Sequence, residues 1–177
     1  MSDLFMRRAA EISPCDRYRY WLEREWGKGK PTLVVCMLNP STADAHQEDP
    51  TLLALIHFAQ LWGYGGLVVV NLYGWRSPHP RAMMIAPARL DEVNRQRGRE
   101  AMLVAATMGQ GRMLVAWGND GNFEGEAKRF ADFAADQVGV DLICLGTTLS
   151  GAPKHPMARG LHRIPRDQQP IIWRRST

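Results

Sequence analysis

The chain has 177 residues, of which 45% are hydrophobic and 23% charged, with a formal net charge of +4. That length suits one well-buried core rather than two domains, and the composition is that of a globular protein rather than a disordered or fibrous one. No apolar run nears the ~20 residues that span a bilayer, and Met1 to Arg8 lack the apolar core of a signal peptide, so we expect a cytoplasmic protein with no membrane partner.

The charge is unevenly placed. Residues 1–150 hold 16 Lys/Arg against 17 Asp/Glu, whereas residues 151–177 hold 6 against 1. The basic end, Lys154, Arg159, Arg163, Arg166, Arg174 and Arg175, suits either contact with a polyanion or a solvated tail. The three cysteines, Cys15, Cys36 and Cys144, are widely separated and odd in number, and two lie inside hydrophobic runs. They read as reduced thiols rather than a disulfide frame or a zinc knuckle.

In chain order, residues 1–13 show no pattern and are expected to be loosely held. Residues 17–26 alternate, with Tyr18, Tyr20 and Leu22 on one side and Arg17, Arg19, Trp21 and Glu23 on the other. With a Gly/Lys/Pro turn at 27–31, this predicts a strand entering a hairpin with 32–38, although Tyr18, Leu22 and Glu25 also tolerate helical spacing. Ser41 to Asp44 are suited to cap a short helix. Asp49-Pro50 predicts a second helix start, with Asp49 as N-cap, Pro50 at the first helical position, and Leu52, Ile56 and Ala59 on its apolar face. A strand follows at 67–72. The segment 74–88 carries Pro78, Pro80 and Pro87 and is expected to be an irregular loop near the ligand. A helix over about 90–108 carries Arg95, Arg97 and Arg99 on its polar half. Next come a strand at 113–117 and a helix over about 124–138 with Phe123, Ala127, Phe130, Ala134 and Val138 as its buried stripe. Strand 141–145 and an edge strand at 170–173 complete the chain.

This order implies one α/β domain built as a three-layer sandwich. Its central sheet is mostly parallel and four-stranded, with one N-terminal hairpin strand added. The polar residues of interest all fall at the downstream ends of hydrophobic runs, where open α/β sheets bind ligands. Asn39 and Asn71 each end such a run. An Asn carboxamide there either reads a polar ligand or merely bonds the local backbone, and it is no general base. His155 stands between Pro153 and Pro156, a rigid setting that suits an imidazole held toward a developing anion, or else an exposed loop histidine. The five histidines show no ligand spacing and there is no Cys-x-x-Cys, so we expect neither a metal nor another cofactor. Neither a Walker loop nor a Gly-x-Ser-x-Gly elbow is present.

Taken together, Met37-Leu38-Asn39-Pro40-Ser41-Thr42-Ala43-Asp44, Trp62-Gly63-Tyr64-Gly65-Gly66-Leu67, Val70-Asn71-Leu72, Ala116-Trp117-Gly118 and the run from Cys144 to His155-Pro156 resemble a bacterial family of uncharacterised proteins, DUF1643. The same landmarks distantly resemble the uracil-DNA glycosylase superfamily: a strand-end Asp-Pro or Asn-Pro, a strand-end Asn, a Trp-Gly and a His-Pro loop. That resemblance implies a glycosylase-like fold and, as catalytic residues, Asn39 to orient water and His155 to stabilise the departing base. Asn71 would read the base, with Pro40, Ser41, Trp117, Gly118 and Tyr73 around it, and Lys154, Arg159 and Arg163 would contact nucleic acid. Phe58, Tyr64, Tyr73 and Trp75 are the candidates for stacking on the base. The expected function is therefore recognition of a nucleobase in DNA or a nucleotide, either with N-glycosidic hydrolysis or as a non-catalytic binding module. A small-molecule hydrolase using Asp44 or Asp49 as base is a further alternative.

Overall fold

The computed structural model describes residues 6–89 and 91–177. Its strands are β1 (Arg7–Ile12), β2 (Arg19–Glu25), β3 (Thr32–Met37), β4 (Gly66–Asn71), β5 (Arg112–Val115), β6 (Asp141–Cys144) and β7 (Ile171–Arg174). The helices are α1 (Pro50–Leu61), α2 (Pro80–Met84), α3 (Glu92–Met108) and α4 (Glu126–Asp132). The strands form one mixed sheet of seven, not four, in the order β1-β2-β4-β3-β5-β6-β7. β4, β3, β5 and β6 run parallel, and the flanking strands are antiparallel to their neighbours. No helix among the described residues is long and apolar enough to cross a membrane.

The central strands are almost wholly aliphatic because both faces are covered. Val34, Cys36, Val68, Val70, Met113 and Val115 pack on one side with Ala101, Met102 and Ala105 of α3 and Ala127 and Ala131 of α4. Leu33, Val35, Met37, Leu67 and Val69 pack on the other with Leu52, Leu55, Ile56 and Ala59 of α1. α1 starts as its sequence dictates: Asp49 accepts the Leu52 N–H (2.8 Å), and Pro50 occupies the first turn, where its missing N–H costs nothing.

Several local expectations are corrected. Residues 17–26 do supply a strand, but β2 pairs with β1 and β4 rather than forming a hairpin with β3. The turn after β2 instead crosses the start of β4: Trp26 and Gly27 N–H both donate to Gly65 O, and Gly65 N–H donates to Pro31 O. A Cβ on Gly65 would lie 2.2 Å from Gly27 O, so only glycine permits this crossing. The patternless N-terminus holds an edge strand, β1; residues 1–5 and Leu90 lie outside the described residues. Ser41 to Asp44 form a turn instead of a helix, with Asp44 Oδ1 accepting the His46 and Gln47 N–H groups. The loop at 74–88 contains the short helix α2, begun by Pro80. The helix foreseen over 124–138 is divided into α4 and a π-helical turn, Phe133–Val138, and begins only after Glu124 and Gly125 take left-handed backbone conformations.

The cap at Asp49 gives a direct test. Asp49→Ala is expected to cost about 1 kcal/mol in urea denaturation, whereas Asp49→Asn, which still caps, stays within about 0.5 kcal/mol of the parent.

Candidate functional site

The polar site begins where β3 and β4 end side by side. Asn39 Nδ2 donates to Ser77 O (2.8 Å), Pro40 O (3.1 Å) and Trp75 O (3.4 Å), which ties the loop after β3 to the loop after β4. Ser77 N–H returns a bond to Pro40 O (2.8 Å).

A bulge in β2 brings in a group that alternation alone places elsewhere. Glu11 pairs with Trp21 but Ile12 pairs with Arg19, so Tyr20 is an extra residue. Tyr20 Oη then reaches Asp91 at the start of α3, Trp21 packs on the same side, and Arg19 turns to the opposite face with Leu22. There Arg19 Nη1 donates to Ala43 O (2.7 Å), and Arg24 Nη2 donates to Asp44 O (2.6 Å). Two buried guanidinium groups thus hold the loop between β3 and α1 from beneath.

These elements enclose a small cavity of about 50 Å³. Its apolar walls are Leu22, Met37, Leu52, Leu55 and Val69, and its polar lining includes Arg19, Asn39, Ser41, Asp49, Asn71 and His155. Asn71 is 3% exposed, yet among the described residues neither its Nδ2 nor its Oδ1 has a partner, and Arg19, at 4%, has an unpartnered Nε. Each such group costs about 1–3 kcal/mol when left unsatisfied, so a ligand that bonds them recovers a large term. Burial pushes the Arg19 pKa down to about 10, opposed by the nearby Asp49 charge. Burial likewise holds His155 below the usual imidazole value, again opposed by Asp49. Its Nδ1 accepts the Met157 N–H (3.1 Å), so the neutral ring carries its proton on Nε2, which is left as a donor for the cavity.

Of the residues singled out by sequence, Asn39, Ser41, Asn71 and His155 converge on this cavity. Pro40 is buried beside it and serves through its carbonyl. Tyr73 and Trp117 do not line this cavity: both belong to the core on the α3/α4 side of the sheet. Tyr73 Oη donates to Phe123 O (2.7 Å), and Trp117 meets Phe130 and Trp173 edge to face. Gly118 is a turn residue with φ +70°, its N–H bonded to Pro153 O (2.9 Å). None of Phe58, Tyr64, Tyr73 and Trp75 lines the cavity. Arg19 was not legible as a site residue, because no feature of the alternating pattern marks the bulge.

Arg159, Arg163 and Arg166 line a groove of about 540 Å³ along α1, between Pro50 and the Pro156 to Ala158 segment. It adjoins the cavity through the consecutive pairs Asp49-Pro50 and His155-Pro156. Among the described residues these three arginines make no ion pair, whereas Arg174 and Arg175 bind Asp132, Asp136 and Asp141. The basic end therefore divides into three arginines without an ion pair among the described residues, two that anchor β7, and Lys154. Lys154 lies apart from the groove, its N–H bonded to Gly146 O (2.9 Å) and its side chain beside Gly146. A further cleft of about 360 Å³ lies between α3 and α4, but its charges satisfy one another: Arg95 and Arg129 pair with Glu126, and Arg99 with Glu92.

Because the Asn71 carboxamide is buried without partners, Asn71→Leu is expected to stabilise the fold by about 1 kcal/mol in chemical denaturation while abolishing ligand binding at the cavity.

No curated protein and no solved structure matches this chain. A family model described as "Protein of unknown function (DUF1643)" matches residues 19–157, a span from Arg19 to the Met157 amide that orients His155. The chain belongs to the DUF1643 family.

Proposed function

We propose that the cavity is the polar end of a nucleobase site, where the edge of a base is read, and that the protein is a glycosylase-like N-glycosidic hydrolase acting on a modified or deaminated base in nucleic acid. The observation that carries this reading is Asn71: a buried carboxamide with donor and acceptor both unpartnered, at the end of a parallel strand and in one cavity with His155. A carboxamide so placed matches the paired donor and acceptor on the edge of a base, and the described residues supply no substitute for that partner.

The remaining groups fit the same chemistry. Cleavage of a glycosidic bond leaves negative charge on the base, and the Nε2–H of a neutral, desolvated His155 stabilises an oxyanion without prior loss of a proton. The Arg19 Nε–H adds a second donor from a fixed cation. The groove with Arg159, Arg163 and Arg166 supplies unpaired positive charge beside the pocket, as a phosphate backbone requires. Likeness to the uracil-DNA glycosylase fold belongs to this proposal; it is supported by the convergence of Asn39, Asn71 and His155, three of its landmarks, at strand ends and the adjoining loop. A non-catalytic nucleic-acid binding module is the second reading, favoured by Asn39, whose amide nitrogen is tied to three backbone carbonyls.

Base release from oligonucleotides carrying uracil, hypoxanthine or xanthine tests the enzyme. His155→Ala is expected to lower the rate about 10²–10³-fold, as loss of one oxyanion donor does elsewhere, and Asn71→Ala to weaken base binding at unchanged folding. Oligonucleotide binding without release by the parent protein would select the binding module. Binding is also expected to weaken with salt, and Arg159→Ala with Arg163→Ala to reduce the slope of log K against log salt by about 2. An unchanged slope would remove nucleic acid from the groove.

A further inference from the structure

The nucleobase reading leaves one chemical gap, because Asn39 does not take a proton from water and its amide nitrogen is committed to Ser77, Pro40 and Trp75 carbonyls. The cavity itself supplies a carboxylate from a different element. Among the described residues Asp49 is the only Asp or Glu lining it, and it is 9% exposed. Its Oδ1 caps α1 through Leu52 N–H, and no hydrogen bond is made to its Oδ2 among the described residues. The groups that face it are Arg19 from β2 and the His155 ring from the loop after β6, both coupled to its charge. The cap keeps the carboxylate in one orientation, and Arg19 lines the same cavity.

We propose that Asp49 is the general base of this site and that Asn39 is a positioning residue. This assignment rests on the nucleobase reading. The Asp49 carboxylate takes one proton from a water whose oxygen bonds to C1′ of the sugar as the C1′–N bond breaks. The bonding pair leaves with the base, which is held by the His155 Nε2–H. The base then takes up the proton gathered on Asp49, through solvent, so one water is consumed and the carboxylate is regenerated. The helix cap accounts for one carboxylate oxygen and the chemistry uses the other.

The two roles of Asp49 separate cleanly in mutants. Asp49→Asn keeps an N-cap side chain of the same shape but removes the base. On uracil-, hypoxanthine- or xanthine-containing oligonucleotides it is expected to lower kcat by about 10²–10⁴-fold with KM and urea midpoint near the parent values. Asp49→Ala is expected to lose the same rate and to regain part of it in added formate, which replaces the missing carboxylate. Asp49→Asn within about threefold of the parent rate, where His155→Ala is still strongly impaired, would overturn the assignment and leave the glycosylase reading intact. A parent protein that binds these oligonucleotides and releases no base would overturn both.

Discussion

A guanidinium removed from water needs acceptors, and in this chain Arg19 and Arg24 find them in the carbonyls of Ala43 and Asp44. Those two bonds fix the loop between β3 and α1 against β2. Asn39, Ser41 and Asp49 all ride on that loop or at its ends, so the polar geometry of the site depends on the inward turn of two strand arginines. The bulge at Tyr20 is the covalent origin of the arrangement, since without the extra residue Arg19 would share a face with Trp21, toward α3.

The cavity is built at the expense of stability. A carboxamide and a guanidinium nitrogen are both withheld from water, without partners among the described residues, beside the apolar layer under α1. Natural cores seldom retain such groups, and each calls for a partner in the form of a water, an ion or a ligand. The His155 tautomer, set by the Met157 amide, adds a donor at the same place. The groove alongside carries cations that the fold does not use for itself, in contrast to the arginines of α3 and β7, which are bound to acidic neighbours.

The division of labour across the sheet explains why the landmarks behave differently. Side chains of successive strand residues point to opposite faces, so Val69 and Asn71 reach the α1 side while Val70 reaches the α3 side. Tyr73 and Trp117 fall on the α3 side, where they fill the core rather than a ligand site. Nearness in a motif therefore did not translate into nearness in space.

Much of the architecture was legible from local chemistry. Hydrophobic runs bounded by Gly and Asn marked the parallel strands, Asp49-Pro50 marked the start of α1, and the ends of two such runs marked Asn39 and Asn71, whereas His155 was joined to them only through the resemblance carried by its His-Pro loop. Local sequence determined these because strand burial, capping and proline geometry act over a few residues. Only the tertiary structure decided that β2 lies beside β4 instead of β3, that β1 pairs at the edge, that Arg19 faces the cavity, and that Asp49 is both a cap and a wall of the site. Each of these turns on pairing register or on the meeting of segments distant in the chain. Neither is encoded in a short pattern, because register is set by which side chains must face the core and by the turns and bulges between strands, and these are fixed only once the strands pack together.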